Sequence, residues 1–257
     1  MTQSERRLYL IGELKKENPQ YENLSVPAST KEQKALLRAL FNVRLPKPAG
    51  KEFLEIQDSY LKEELRRKGI TDFNSLKPIK PDIYLWQGDI TLLKCDAVVN
   101  AANSAMLGCF FPNHRCIDNA IHTFAGIQMR LACNEIMIKQ GYPEKTGSAK
   151  ITPGFNLPSK YVIHTVGPII DGKLTEQSCR RLEACYVSCL KKADEKKLGS
   201  IAFCCISTGE FRFPNEKAAK TAIKAVEDYK MKSKSKIKVI FNVFKDIDYE
   251  IYRRLLG

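Results

Sequence analysis

Cys109, His114 and Cys116 fall within eight residues in the spacing C-x4-H-x-C, the densest set of metal-ligating side chains in the sequence. One tetrahedral zinc ion, with Zn–S bonds of ~2.3 Å and Zn–N bonds of ~2.0 Å, collects two thiolates and an imidazole from a loop this compact. Structural zinc sites close with four protein ligands, and no second Cys/His cluster of similar density is visible in the chain. A fourth position left to water or substrate is what a catalytic site needs. The same spacing also suits two buried thiols near a surface histidine, and spacing alone leaves both readings open. Asp118 lies two residues beyond Cys116, at the expected start of a long helix. There a carboxylate complements the helix dipole, and it also stands ready to orient a water or a substrate hydroxyl beside a metal; the two roles are compatible. His122, one turn further, reads as a packed or hydrogen-bonded histidine rather than a ligand.

Three more segments carry chemistry. Gly88-Asp89-Ile90-Thr91 follows an expected strand, so Asp89 either caps a turn or accepts from an exocyclic amine. Asn100-Ala101-Ala102-Asn103 puts two amides around two very small residues, which lets a ligand approach the backbone, although asparagine also makes ordinary turns. Ser207-Thr208-Gly209-Glu210-Phe211-Arg212-Phe213-Pro214 leads from a strand into a helix. Backbone N–H groups of such a loop cradle a pyrophosphate without a lysine, and the alternative is a plain strand-to-helix turn. It is not a Walker A sequence, so triphosphate hydrolysis is not indicated.

The elements that position these segments follow from apolar patterning. From residue 82 onward, short apolar runs alternate with amphipathic stretches, the signature of an α/β unit with a mostly parallel sheet. Strands are expected at Ile83–Gln87, Ala97–Asn100, Ala149–Thr152, Tyr161–Val166, Ile201–Ile206 and Lys238–Phe244. Helices are expected at Asp118–Gln140, Thr175–Lys197, Asn215–Lys230 and Asp246–Leu256. The four segments above then lie at strand carboxyl ends, where such sheets bind ligands. Residues 1–80 read as a helical N-terminal extension. Leu8, Ile11 and Leu14 share a helical face, Thr30 with Gln33 makes a capping-box pattern before Leu36, Leu37 and Leu40, and a third helix carries Leu54, Leu61 and Leu65 inward and stops at a left-handed Gly69. Pro78 and Pro81 mark a linker, dividing the chain into 1–80 and 82–257.

Composition narrows the function classes. The 257 residues are 44% hydrophobic and 28% charged, ordinary for a globular protein able to bury a core. No apolar run suits a signal peptide or a membrane span, which points to the cytoplasm and to nine cysteines that are free thiols or metal ligands. A net charge of +13 attracts anions, but the densest lysine cluster, Lys230 to Lys238, has no interleaved aromatic residues to stack bases, so nucleic acid is a disfavoured partner.

In their order along residues 82–257, the blocks VVNAAN (98–103), CIDNAIHTFAG (116–126), TGSAKITPGFNLPSKYVIHTVGP (146–168) and SIAFCCISTGEFRFP (200–214) resemble the macrodomain family. That family's fold is a three-layer α/β/α sandwich with a mostly parallel mixed sheet. Where hydrolytic macrodomains carry a glycine-rich segment before the loop aspartate, this chain has the Cys/His clip. The departure is similar to the zinc-containing macrodomains of bacteria and fungi, which remove ADP-ribose from proteins and whose N-terminal helical segment this one also looks like.

The resemblance implies one Zn²⁺ per chain on Cys109, His114 and Cys116. It further implies that Asp89 recognises the adenine amine, Ile90 contacts the ring through its backbone, and Asn103 addresses the distal ribose. Asp118 would stand beside that ribose and the metal. Ser207, Thr208, Gly209, Glu210 and Phe211 would wrap the pyrophosphate, and Phe213 would flank the ligand. Arg212 replaces the family's usual glycine. The implied activity is zinc-dependent release of mono-ADP-ribose from acidic side chains of a modified protein, with Asp118 and Asn103 catalytic. A lipoate-carrier protein is the implied substrate and a sirtuin-like ADP-ribosyl transferase the counterpart. A non-catalytic ADP-ribose reader and a deacylase of O-acyl-ADP-ribose are the rivals.

Overall fold

The computed structural model describes residues 1–257. Four helices come first: α1 (Gln3–Lys16), α2 (Pro19–Glu22), α3 (Thr30–Val43) and α4 (Lys51–Lys68). Their details differ from the pattern in instructive ways. The buried face of α1 is Leu10, Ile11 and Leu14, while Leu8 is 43% exposed, because Leu10 takes the place in the stripe that Leu8 was expected to hold. Helix α3 is capped one residue earlier than Thr30: the Ser29 hydroxyl accepts from the Glu32 amide at 3.2 Å. Gln33 is thereby free to accept from the Arg7 guanidinium of α1 at 2.8 and 3.0 Å. Gly69 ends α4 at φ 90°, ψ 112°, outside the left-handed helical region. Leu10, Ile11, Leu37, Leu40, Phe53 and Leu61 form a cluster that Ile127, from the second part of the chain, completes.

The short strand β1 (Thr71–Asp72) pairs in parallel with β3 (Leu93–Lys94). The main sheet comprises β2 (Ile83–Gln87), β4 (Ala97–Ala102), β5 (Ala149–Pro153), β6 (Tyr161–Val166), β7 (Ser200–Phe203) and β8 (Lys238–Val243), in the order β2-β8-β7-β4-β6-β5. Every pairing is parallel except β5 with β6. The strands are nearly continuous apolar runs, as a sheet covered on both faces requires. Helices α5 (Ile117–Ala125) and α6 (Ile127–Gln140) lie against β4 and β5. Helices α7 (Glu176–Glu195), α8 (Asn215–Ser233) and α9 (Asp246–Leu256) pack together on the opposite face, where Tyr186 meets Phe203 with ring centroids 4.9 Å apart and Tyr252 meets Phe241 at 5.1 Å. This is the three-layer α/β/α arrangement with a mixed sheet. Regular pairing of β4 with β7 stops at Ala97–Ile201 and Val98–Ala202. Beyond those residues the two strand ends lead into the loops at 103 and 204, the position where open α/β sheets form their binding crevice.

The single helix expected over Asp118–Gln140 is two, because Gly126 interrupts it at φ 96°, ψ 171°. A Cβ at Gly126 would come within 2.7 Å of both Gln57 Nε2 and Gln128 Oε1 and 2.9 Å of Asn156 Nδ2. Gln57, from α4, occupies the break and accepts from the Ile127 amide at 3.0 Å. Gly126→Ala is therefore expected to cost about 1–3 kcal/mol through positive φ and crowding. Urea unfolding measures it, and an unchanged midpoint would show that the junction relaxes freely.

Candidate active site

The loop from Asn103 to Arg115 joins β4 to α5 and carries the Cys/His clip. The ligand atoms of Cys109, His114 and Cys116 all lie within 4.8 Å of one another. Cys116 is the N-cap of α5, its sulfur accepting from the Asn119 amide at 3.4 Å, a position whose partial positive charge favours a thiolate. Burial, opposed by that amide and reinforced by the neighbouring Cys109 sulfur, pushes the Cys116 thiol up to about 12. A bound cation acts in the opposite direction. His114 Nδ1 is buried with no hydrogen-bond partner, and its Nε2 is 3.6 Å from Glu210 Oε1. Two thiols and an imidazole whose ring Nδ1 has no partner, converging in one loop, suit a zinc ion. Gly108 lets the loop lie on the His122 ring, since a Cβ there would meet the ring at 2.7 Å and its φ is 79°.

Behind the clip, Asp118 is 5% exposed. Its Oδ1 accepts from Asn100 Nδ2 at 2.8 Å and its Oδ2 from Asn103 Nδ2 at 3.3 Å. Burial pushes the carboxyl up to about 6, against the Asn100 hydrogen bond and the Arg130 charge. His122 Nε2 is 3.6 Å from Asp118 Oδ1, both its ring nitrogens lack partners, and burial lowers its pKa far below the usual range, so it is a neutral packed histidine. Asn100 also donates to His164 Nδ1 at 3.1 Å, which leaves Nε2 as the protonated nitrogen, donating to Thr152 Oγ1 at 2.9 Å. His122, Cys133 and His164 form a second cluster with ligand atoms within 4.8 Å, wholly buried. It spans 122 to 164 in sequence, so no local spacing reveals it.

Asp89 fills its capping role, its Oδ1 accepting from the Thr91 amide at 3.0 Å and the Thr91 hydroxyl at 2.6 Å. Its Oδ2 is 3.9 Å from Lys68 Nζ of α4. Ile90 is buried, so only its backbone is available to a ligand. In the loop after β7, Ser207 and Arg212 adopt positive φ of 66° and 57°, and Phe213 N donates to Ser207 O at 2.9 Å. That curl leaves the N–H groups of Ser207, Gly209, Glu210 and Phe211 with no protein acceptor, while the Thr208 N–H reaches Cys205 O at 3.4 Å. Arg212 thus adopts the left-handed conformation that glycine favours, at a cost of about 1 kcal/mol or more. Phe213 is 1% exposed and belongs to the sheet core, so it supports the loop from beneath and offers no surface to a ligand, contrary to the flanking role expected of it. The Glu210–His114 approach brings the phosphate-type loop and the clip to the same crevice.

Sequence reasoning did not single out Arg38, Asn119, Arg130 or His164, all of which shape this site. Arg130, buried, donates to Leu107 O at 2.7 Å and Phe41 O at 3.1 Å, and also to Arg44 O, tying the clip loop to the end of α3. Arg38 and Arg130 lie in no local motif of ligand or catalytic type, whereas Asn119 and His164 fall inside the blocks 116–126 and 146–168 without carrying a ligand or catalytic pattern of their own.

A Macro domain family model matches residues 99–222. The chain is 56% identical over 261 residues to a protein-ADP-ribose hydrolase of Treponema medium, covering 100% of both chains. It is 51% identical over 250 residues to the protein-ADP-ribose hydrolase of Staphylococcus aureus strain MRSA252, covering 95% of this chain and 92% of that protein. In structure it resembles the Oceanobacillus iheyensis macrodomain with ADP at a TM-score of 0.63 and 34% identity, over 70% of this chain and 93% of that one. No helix is long and apolar enough to cross a membrane. With its sheet order, its Asp118 loop and relatives this similar over the whole length, the chain belongs to the macro domain family.

Proposed function

We propose that the protein is a zinc-dependent protein-ADP-ribose hydrolase that removes mono-ADP-ribose from acidic side chains. The observation that carries the reading is the convergence of clip, buried carboxylate and phosphate-type loop on one crevice, with His114 Nε2 3.6 Å from Glu210 Oε1 and Asp118 two residues from Cys116. Whole-length likeness to proteins named protein-ADP-ribose hydrolases supports it.

The four unpaired N–H groups of Ser207, Gly209, Glu210 and Phe211 bind the pyrophosphate, aided by the start of α8. Asp89 Oδ2 accepts from the adenine amine, with Ile90 contributing its backbone. Asn103 addresses the distal ribose. Asp118, fixed by Asn100 and Asn103, takes the proton of the water whose oxygen bonds to ribose C1″ as the bond from C1″ to the acceptor oxygen breaks. Cys109, His114 and Cys116 would hold one zinc ion per chain, which would supply Lewis-acid chemistry to the reaction.

The site buries one carboxylate, Asp118. An acceptor carboxylate departs as an anion stable at neutral pH and needs no proton donor, so a single proton-accepting carboxylate suffices for this ester. An arginine acceptor departs through a far more basic nitrogen and does need one. The protein is therefore expected to release ADP-ribose from a carboxylate-linked substrate at least about 100-fold faster than from an arginine-linked one. A lipoate-carrier protein modified by a sirtuin-like ADP-ribosyl transferase is the first substrate to test. Equal release from both linkages would remove the acceptor assignment, and release of neither would favour a reader.

A further inference from the structure

We infer that Arg38, on α3 of the N-terminal helical segment, is a positioning residue that acts through Asn119 to hold the Cys109–Cys116 loop in its metal-receiving shape. The inference rests on the proposed zinc site. Arg38 is half-buried, and its Nε and Nη2 donate to Asn119 Oδ1 at 3.1 and 2.8 Å, while Nη2 also donates to His114 O at 3.0 Å.

Asn119 is fully buried and directs its backbone and side-chain N–H donors to the clip. Its amide N donates to Cys116 Sγ at 3.4 Å, and its Nδ2 to Phe111 O at 3.1 Å and Cys109 O at 3.5 Å. One asparagine therefore touches the backbone or sulfur of both cysteines, and one arginine orients that asparagine while holding the backbone of the histidine. Two donors on Oδ1 fix which way the Asn119 amide faces: turned over, its NH₂ would oppose the guanidinium and both donations to the loop carbonyls would be lost. Asn42, a turn further along α3, adds a second grip by accepting from the Asn113 amide at 2.9 Å.

A loop without regular structure loses conformational entropy when its three ligands converge, and fixed outer partners make that loss on folding rather than on metal binding. The N-terminal helices thus belong to the metal site although they supply no ligand. Lysine does not replace the arginine, because a single ammonium lacks the planar fork that meets two acceptors at once.

The test uses full-length wild type, Arg38→Ala, Arg38→Lys, Asn119→Ala and the Arg38→Ala/Asn119→Ala double variant. Zinc affinity is read by competition with a chromophoric chelator, the release rate after chelator excess, and the ligand field from the visible spectrum of Co²⁺-loaded protein. Arg38→Ala is expected to weaken zinc binding about 10- to 100-fold and speed release, with a shifted Co²⁺ spectrum. Arg38→Lys should be intermediate, and the double variant no weaker than about the worse single, because both act through one network. Should Arg38→Ala not fold, Arg38→Lys carries the same comparison. Folded Arg38 variants that bind and release zinc within about twofold of wild type, or that lose ADP-ribose affinity alone, would overturn the inference. Wild type that binds no zinc would instead overturn the zinc reading itself, and this inference with it.

Discussion

Asp118→Ala is expected to slow ADP-ribose release from a carboxylate-linked protein by about 10²–10⁴-fold, the range over which a positioned proton acceptor acts, while ADP-ribose still binds. The two effects separate because binding and chemistry use largely different groups, with Asn103 alone serving both. In the proposed reading affinity comes chiefly from Asp89, the Ile90 backbone and the unpaired amides after β7, none of which touches Asp118. In the same reading the carboxylate meets only the reacting end, and Asn100 at 2.8 Å and Asn103 at 3.3 Å hold it. Removing it takes one of two acceptors from each amide, leaving Asn100 with His164 Nδ1 and Asn103 with Gly108 O, so a stability loss of about 1–3 kcal/mol accompanies the kinetic one and must be measured beside it. Single-turnover release with saturating enzyme reads the chemistry directly, and calorimetric titration with ADP-ribose reads the binding. A folded variant that keeps more than about a tenth of the wild-type rate would remove Asp118 from the reaction. Wild type that binds ADP-ribose and turns over no modified substrate would leave a reader.

How far the sequence reveals this site depends on how local each feature is. The clip is legible because its three ligands lie within one short loop, and the main strands because both faces of the sheet are covered and their apolar runs are nearly continuous. Local competition defeats other expectations. Thr30 and Ser29 are both competent caps, and Ser29 wins because it lets Gln33 meet Arg7 across the helix pair. Leu8 and Leu10 both extend the apolar stripe of α1, and only the partner helices decide between them. The break at Gly126 depends on Gln57, distant in sequence, which supplies the hydrogen bond that the helix forgoes. Phe213 lies beside the loop in sequence yet points into the core, since the positive φ of Arg212 turns the chain just before it. Arg38 is the hardest to read. On an amphipathic helix it looks like a solvated charge, and its partners Asn119 and His114 are brought to it only by tertiary packing.

Removing zinc is expected to have an effect as large as losing Asp118, and Cys116→Ser isolates its cause. Cys116 caps α5 and, in the proposed zinc reading, has a second duty as a sulfur ligand. Serine caps a helix as well as any residue, so this substitution keeps the first duty and weakens only the second, because a neutral hydroxyl is a poor ligand for zinc. Fold and adenosine recognition should persist, bound metal should fall from about one ion per chain to a small fraction, and hydrolysis should drop by about 10³-fold, the equivalent of several kcal/mol of lost charge stabilisation. Chelated wild type should behave likewise and recover when zinc is returned but not when magnesium is, since two thiolates and an imidazole suit the softer ion. Elemental analysis and release assays on the same samples make the comparison. The decisive adverse result is a protein verified as metal-free that hydrolyses its substrate at the full rate. The clip would then be a structural feature of the loop, and Asp118 with Asn103 would have to account for the chemistry alone.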